Sequence, residues 1–259
     1  MPHADATDLP VIRELLAAHR LPTADLDDAA ADIRFLAVRE NGRPVGAIAV
    51  QVLGQRGLLR SLVVAPTHRG RGFARRLVAE AERVALQAGV RELVLLTETA
   101  APFFSRLGYR PAVRESMPTD VQSTAEFASL CPSSAVCLAK PLRLAIYHNP
   151  ACGTSRNALA LMREASLEPE VIEYLRTPPD RATLLDLLNR MSLTPRDLLR
   201  EKGTPYAELG FDDASLSDDA LVSHMLETPL LINRPIVDAP WGVRLCRPSE
   251  AAREFLLLE

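Results

Sequence analysis

Lysine is nearly missing from this 259-residue chain: of 30 basic residues only Lys140 and Lys202 are lysine, and the other 28 are arginine. The net charge is −3, which excludes the surplus of cations that sequence-independent nucleic-acid binding requires. Nucleic acid is therefore not an expected partner. No run approaches the roughly 18 uninterrupted apolar residues needed to cross a bilayer, so no membrane association is expected either. The amino terminus, Met1-Pro2-His3-Ala4-Asp5, has neither a basic n-region nor an apolar h-region, and the expected location is cytoplasmic. Cysteine is scarce too. Cys131, Cys137, Cys152 and Cys246 are too few to staple a chain of this size, which points to reduced thiols, one of them free to do chemistry.

What is present is globular material. At 47% hydrophobic and 24% charged, with 12 Gly and 20 Pro, the chain is neither disordered, collagenous nor low-complexity. Its length asks for two domains, each within the usual span of about 100–200 residues. The arginine excess reads either as bulk composition or as a supply of planar forks that grip carboxylates, phosphates and similar oxyanions.

The chain divides near Ala139-Lys140-Pro141-Leu142, giving domains 1–139 and 140–259 with an α/β (α+β) fold class. In the first, apolar spacing predicts a helix over 9–18, then strands at 35–38 and 45–53 joined by an Asn41-Gly42 hairpin turn. A third strand is predicted at 58–64, followed by an amphipathic helix that runs from Arg69–Gly72 to a stop at Gly89. A strand at 93–97, a short helix at 102–107 and a strand at 109–113 complete it. The second domain opens with strand 144–147, helix 155–165 and strand 171–174, a βαβ unit. Helices at 184–191, 195–199 and 217–227 follow, and 230–237 with 243–245 reads as a strand pair.

Two segments carry chemistry. In the first domain, Arg69-Gly70-Arg71-Gly72-Phe73-Ala74 sits where a strand gives way to a helix. A helix amino terminus exposes unpaired N–H groups and partial positive charge, and glycine lets a phosphate approach the backbone. With the preceding strand and the later Phe103-Phe104-Ser105-Arg106-Leu107-Gly108-Tyr109, the segment resembles the GNAT superfamily of acyl-CoA-dependent N-acyltransferases. The resemblance spans nearly all of the first domain and implies acetyl-CoA as cofactor. It assigns the pantetheine to the backbone of Leu62, Val63 and Val64, and the pyrophosphate to the N–H groups of Arg69, Gly70, Arg71, Gly72, Phe73 and Ala74. Many members have a tyrosine that protonates the departing thiolate where this chain has Phe104, so water or another group must serve. On the acceptor side, Glu98 is a candidate to hold a base-activated water and Arg60 to hold an anionic substrate; the alternative is that both are solvated surface charges. The stretch Thr124 to Cys137 resembles the arsenic-resistance branch of that superfamily. Its neighbours acetylate an arsenic-containing glutamate analogue, which implies a small amine substrate. Cys131 and Cys137 read either as soft ligands for trivalent arsenic or as small buried hydrophobes.

The second segment is Tyr147-His148-Asn149-Pro150-Ala151-Cys152-Gly153-Thr154-Ser155-Arg156. A thiol at a helix amino terminus has its thiolate stabilised by the dipole and free N–H groups, which makes Cys152 the candidate nucleophile. Ser155 occupies the position where a dithiol motif has its second cysteine, so internal disulfide cycling through that pair is impossible. The remaining electron source is an outside thiol or Cys246. No second Cys or His stands at ligand spacing, and no metal is expected. Arg200, Arg234 and Arg247 each flank a predicted element end.

Together with the cysteine loop, these segments resemble the glutaredoxin-linked arsenate reductases, over essentially all of residues 143–253. The resemblance implies a thioredoxin-like fold with a helical insertion. In it Cys152 attacks arsenate, Arg200, Arg234 and Arg247 bind its oxygens, and His148 and Ser155 support the thiolate. Glutathione and glutaredoxin are the implied reductants, and Arg234-Pro235 matches a cis-proline position facing the nucleophile. The expected whole is a bifunctional arsenic-detoxification enzyme. A reading from another class is a redox- or arsenic-sensing adaptor with a degenerate acyl-CoA-binding domain. Ser155 counts against a dithiol switch, and the three arginines count for an oxyanion pocket.

Overall fold

In the computed structural model, which describes residues 3–26 and 32–257, Asn41 and Gly42 adopt φ of 52° and 77°. That left-handed pair is what a two-residue hairpin turn demands. It joins β1 (Ile33–Glu40) to β2 (Arg43–Leu53), with Glu40 opposite Arg43. Ahead of them α1 (Leu9–Ala18) forms over the range its spacing indicates and buries Ile12 and Leu16 against Phe35, Ala37, Ala47, Ala49 and Val63. The order continues β3 (Arg56–Val64), α2 (Phe73–Gln87), β4 (Glu92–Thr97), α3 (Ala101–Arg106), β5 (Arg110–Pro111), α4 (Thr119–Gln122) and β6 (Val136–Pro141). The strands make one six-stranded sheet in the order β1-β2-β3-β4-β6-β5.

One joint in this sheet is parallel, β3 to β4, and its pairing is Arg56–Leu58 with Glu92–Val94. Both strands run on, to Val64 and Thr97, without pairing further among the described residues. Past Leu58, β3 stays with β2 through a bulge: Ala49 faces Arg60 and Ala47 faces Val63, with Ser61 in the left-handed region at φ 58°. An extra residue in one strand sharpens its bend, and the sheet opens between β3 and β4 beyond the bulge.

The predicted strand over 109–113 shrinks to Arg110–Pro111. Tyr109 turns inward instead, fully buried, with its ring edge-on to Phe104 at 5.4 Å. Lys140 and Pro141, assigned to the second domain by the sequence reading, belong to β6 and pair with Leu93 and Glu92. The compact units divide at Leu142 and Arg143. Lys140 also reaches α2, where its Nζ lies 2.6 Å from Glu82. Burial pushes the Glu82 carboxyl upward despite the nearby ammonium.

The second unit is built on β7 (Ala145–His148), α5 (Gly153–Glu164) and β8 (Glu170–Glu173), with β8 parallel to β7 as the βαβ pattern requires. Then come α6 (Arg181–Met191), α7 (Pro195–Leu198), α8 (Asp218–Glu227), β9 (Ile236–Ala239), β10 (Gly242–Leu245) and α9 (Ala251–Leu257). The sheet order is β10-β9-β7-β8, with β9 antiparallel to both neighbours. Side-chain caps define the inserted helices: Asp180 accepts from the Thr183 N–H at 2.7 Å, and Thr194 and Asp197 form a reciprocal capping box. Their apolar faces meet around Tyr174, Leu188, Phe211, Met225 and Ile236. The strand predicted over 230–237 begins only at Ile236, because Pro229–Leu231 curls into a 3-10 turn. No helix of the described residues is long and apolar enough to cross a membrane.

The Lys140–Glu82 pair yields a stability prediction. Lys140→Met leaves Glu82, 1% exposed, without its counter-charge, a loss of about 3–5 kcal/mol. The double substitution Lys140→Met with Glu82→Met recovers most of it, as urea unfolding of the three chains will show.

Candidate functional site

The loop between β7 and α5 is wound tightly by its own polar atoms. Asn149 Oδ1 accepts from the Ala151 N–H at 2.9 Å, the Asn149 carbonyl accepts from the Cys152 N–H at 2.9 Å, and Ser155 Oγ accepts from the Asn149 N–H at 3.4 Å. Cys152 is thereby fixed as the N-cap of α5, with extended backbone angles. Partial burial works against ionisation of its thiol. Donation from the Ser155 N–H and then the charge of Arg234 outweigh it, so the thiol pKa falls below its ordinary value. Of the unit's two cysteines, Cys152 is the one shifted toward ionisation. Burial pushes the fully buried Cys246 up to about 12, so that thiol is no ready partner for it.

Arg234 is 5% exposed, and its Nε and Nη1 are buried without a hydrogen-bond partner. Buried donors in that state cost about 1–3 kcal/mol apiece, more when charged, and an oxyanion supplies acceptors for such donors. The backbone brings the other two arginines to the same end of the sheet. Arg200 N–H donates to the Leu231 carbonyl at 2.8 Å, Asn233 N–H to Leu198 at 2.9 Å, and Cys246 N–H to Pro235 at 2.9 Å. These bonds dock the Arg200 and Arg247 segments on the segment that carries Arg234. Arg200 is half-buried and Arg247 exposed, and among the three the charge felt by Cys152 is that of Arg234. Arg234-Pro235 is cis, as the resemblance implies, and so is Arg247-Pro248.

His148 departs from its expected role. It ends β7 in a buried position, and burial holds its ring below the ordinary imidazole pKa. Its Nδ1 is buried without a partner. A neutral ring brings no positive charge to a thiolate, and the groups that favour the Cys152 anion are Ser155 and Arg234.

In the first unit the glycine turn has the geometry of an anion cradle. Gly70 and Gly72 sit at φ of 75° and 80°, and a Cβ on either would meet nothing within 4 Å. The first helical bond of α2 is Arg76 N–H to the Gly72 carbonyl at 3.1 Å, so earlier N–H groups of the helix have no intrahelical acceptor. Arg69 is an exception to the expected donor set: its N–H closes the 3-10 turn on Pro66, and its Nε donates to the Val64 carbonyl at 3.1 Å. Arg71 pairs with Glu40 at 2.7 Å and stacks over Phe73. Leu62, Val63 and Val64 lie past Leu58, where β3 no longer pairs with β4, so an extended thioester arm has a strand edge beside it, with the Val64 carbonyl already taken by Arg69, and a helix start at its end. The residues fit acetyl-CoA.

Arg60 and Glu98, the acceptor-side candidates, are not together. Glu98 stands exposed just past β4. Arg60 is neither a solvated charge nor a free fork for an anionic substrate: it is 3% exposed and already paired with Asp25 and Glu126. Sequence reasoning passed over both carboxylates, although Glu126 is a lone charge in the otherwise uncharged run Ala125 to Leu130. Burial pushes Cys131 up to about 11 and raises Cys137 as well, so both rest as thiols.

The ArsC family model matches residues 147–255. The arsenate reductase of Rhizobium meliloti (strain 1021) is 57% identical over 115 residues, 44% of this chain and 82% of that protein. The Escherichia coli (strain K12) arsenate reductase is 52% identical over 113 residues, 44% of this chain and 80% of that one. The chain belongs to the ArsC family of arsenate reductases. Its first half is matched by the Acetyltransferase (GNAT) family model over residues 7–109. A solved structure of Neisseria gonorrhoeae N-acetylglutamate synthase, complexed with coenzyme A and N-acetyl-glutamate, is 18% identical with a TM-score of 0.46, covering 54% of this chain and 34% of that one. The ArsC domain thus follows a segment matched by the GNAT family model in one α/β chain, with the thioredoxin-like architecture in the second unit.

The electrostatics of the ArsC site give a direct expectation. Alkylation of Cys152 by iodoacetamide has its pH midpoint below that of an ordinary cysteine thiol, and Arg234→Ala moves that midpoint up. His148→Asn moves it much less. A midpoint that follows His148 and ignores Arg234 would reverse the assignment.

Proposed function

We propose that this chain is a bifunctional arsenic-detoxification enzyme whose second unit reduces arsenate to arsenite at the expense of glutathione and glutaredoxin. The observation that carries the reading is the buried guanidinium of Arg234 beside Cys152, with Nε and Nη1 unpartnered: spare donors for an anion next to a nucleophile lacking an electrophile. Arsenate answers both needs. The Cys152 sulfur attacks arsenic and a hydroxide or water leaves, while Arg234, with Arg200 and Arg247, neutralises the oxygens. Ser155 holds the sulfur as thiolate through its N–H. Because position 155 is serine and Cys246 is buried as a thiol, the two electrons come from outside the chain. Glutathione displaces water or hydroxide from the sulfur-bound arsenic, glutaredoxin removes the glutathione, and arsenite departs.

For the first unit we propose acetyl transfer from acetyl-CoA to a small amine, with an arsenic-containing amino acid among the acceptors. When bound, acetyl-CoA supplies an acetyl group activated as a thioester. The backbone of Leu62, Val63 and Val64 is suited to pair with the pantetheine arm, and the N–H groups of Gly70 to Ala74 to hold the pyrophosphate. Phe104, buried against Tyr109, contributes no proton to the leaving sulfur.

Arsenite release from arsenate, with glutathione and glutaredoxin supplied, tests the reductase reading. Cys152→Ser falls to the uncatalysed background, and activity surviving that substitution would remove the mechanism. In the first unit, Gly72→Val forces a β-branched residue into a left-handed φ of 80° and weakens acetyl-CoA binding by about tenfold or more, a loss of at least ~1.4 kcal/mol, which calorimetry measures.

A further inference from the structure

Glu126 opens a π-helix, Glu126–Leu130, a wide turn that is uncommon in proteins and concentrates at functional positions. Its carboxylate is 3.0 Å from Arg60 Nη2. Asp25 holds both terminal nitrogens of the same guanidinium at 2.5 and 2.6 Å, and Cys131 Sγ donates to the other oxygen of Glu126 at 3.8 Å. Two carboxylates against one guanidinium leave an enclosed excess of negative charge, an arrangement that calls for a further cation.

The surroundings are unsatisfied as well. Arg60 Nε, Gln51 Oε1 and Ser61 Oγ are buried without hydrogen-bond partners, and Arg60 itself is more than nine-tenths buried. Ala49 pairs with Arg60 and Gln51 with Leu58, so the strand alternation puts Gln51 and Arg60 on one face of the sheet. That position is two residues beyond Leu58, where pairing with β4 stops, at the mouth of the opening between β3 and β4.

We propose that this cluster is the acceptor subsite of the first unit: Asp25 and Glu126 receive the ammonium group of a small primary amine, Glu126 takes its proton, and Arg60 positions both carboxylates. The proposal rests on the acetyltransferase reading and deepens it. One proton passes from the ammonium to Glu126 and later to solvent. The freed lone pair forms the N–C bond to the thioester carbonyl, the C–S bond breaks with its electrons going to sulfur, and the second amine proton goes to that sulfur. The last transfer needs no phenol, in keeping with Phe104. Among the described residues, three groups face Glu126: Arg60 from β3, Asp25 from the segment after α1, and Cys131 beyond the π-helix. Burial pushes the carboxyl up, Arg60 pulls it down, and Asp25 pushes it up, which leaves it a stronger base than an exposed glutamate.

The test uses the full chain. Acetyl-CoA binding is measured first by calorimetry, then CoA thiol release with glycine, glutamate and ethanolamine as acceptors across pH. The expected result is amine-dependent release whose kcat/KM falls on the acid side with a midpoint above the ordinary glutamate range. Glu126→Gln lowers kcat by about 100-fold or more and removes that limb, with acetyl-CoA Kd within about twofold; Glu126→Asp restores part of the rate. Asp25→Asn removes a charge that raises the Glu126 pKa, so its limb moves to lower pH, and this variant carries the test if Glu126→Gln loses acetyl-CoA binding. Turnover by Glu126→Gln within about threefold of the parent with the same pH profile would overturn the proposal. So would a chain that binds acetyl-CoA and is discharged by none of the amines. Failure of the parent chain to bind acetyl-CoA overturns the acetyltransferase reading beneath it.

Discussion

A buried guanidinium with spare donors governs the second unit. Arg234 lies beside Cys152 with two of its nitrogens unsatisfied, and much of the unit serves to put it there. The parallel β7–β8 pair sets the loop that ends in Cys152, and antiparallel β9 returns the chain so that its entry, Arg234-Pro235, meets that loop at the same end of the sheet. The inserted helices supply the core on which the Leu198–Arg200 segment rests before it pairs with Leu231–Asn233. Remove the positive charge and the thiol reverts toward an ordinary cysteine, because partial burial by itself opposes ionisation.

The two units solve opposite electrostatic problems. The ArsC unit encloses a cation with spare donors and so invites an anion. In the first unit, the Arg60 cluster encloses more carboxylate than guanidinium, while the Gly70–Gly72 turn a short distance along the same chain presents N–H groups to negative charge. Opposite signs are thereby sorted within a single sheet and the helix that follows it. The arginine-rich composition is used in both ways: Arg234 as an open fork, Arg60 as a closed one.

Local signals were legible in the sequence and distant ones were not. Asn41-Gly42, the glycine turn and the cysteine loop each carry their meaning within a dozen residues, and the structure has a hairpin, a helix start and an N-capped thiol at those places. Arg60 shows the limit. Its partners Asp25 and Glu126 lie far off in sequence on either side, and nothing near position 60 tells a paired arginine from a solvated one. His148 shows a related limit: its pKa is held down by how deeply β7 is buried, which composition does not report. The misread strand over 230–237 is a case of rival local rules, since apolar Leu230-Leu231-Ile232 suits a strand while Pro229 starts a tight turn, and the turn prevails.

The seam between β3 and β4 has a mechanical meaning. Strands β1, β2 and β3 form one plate and β4, β6 and β5 another, and the backbone ladder joining them is three residues long. Beyond it the plates diverge like the jaws of a clamp pivoted at Leu58. On the proposed acetyltransferase reading, a cofactor arm lying along Leu62, Val63 and Val64 fills the gap that a continuous sheet would have closed with its own hydrogen bonds, and so works as a substitute strand. By that geometry the sheet is whole only when loaded, and the cofactor becomes part of the scaffold that holds its own reaction partner in place.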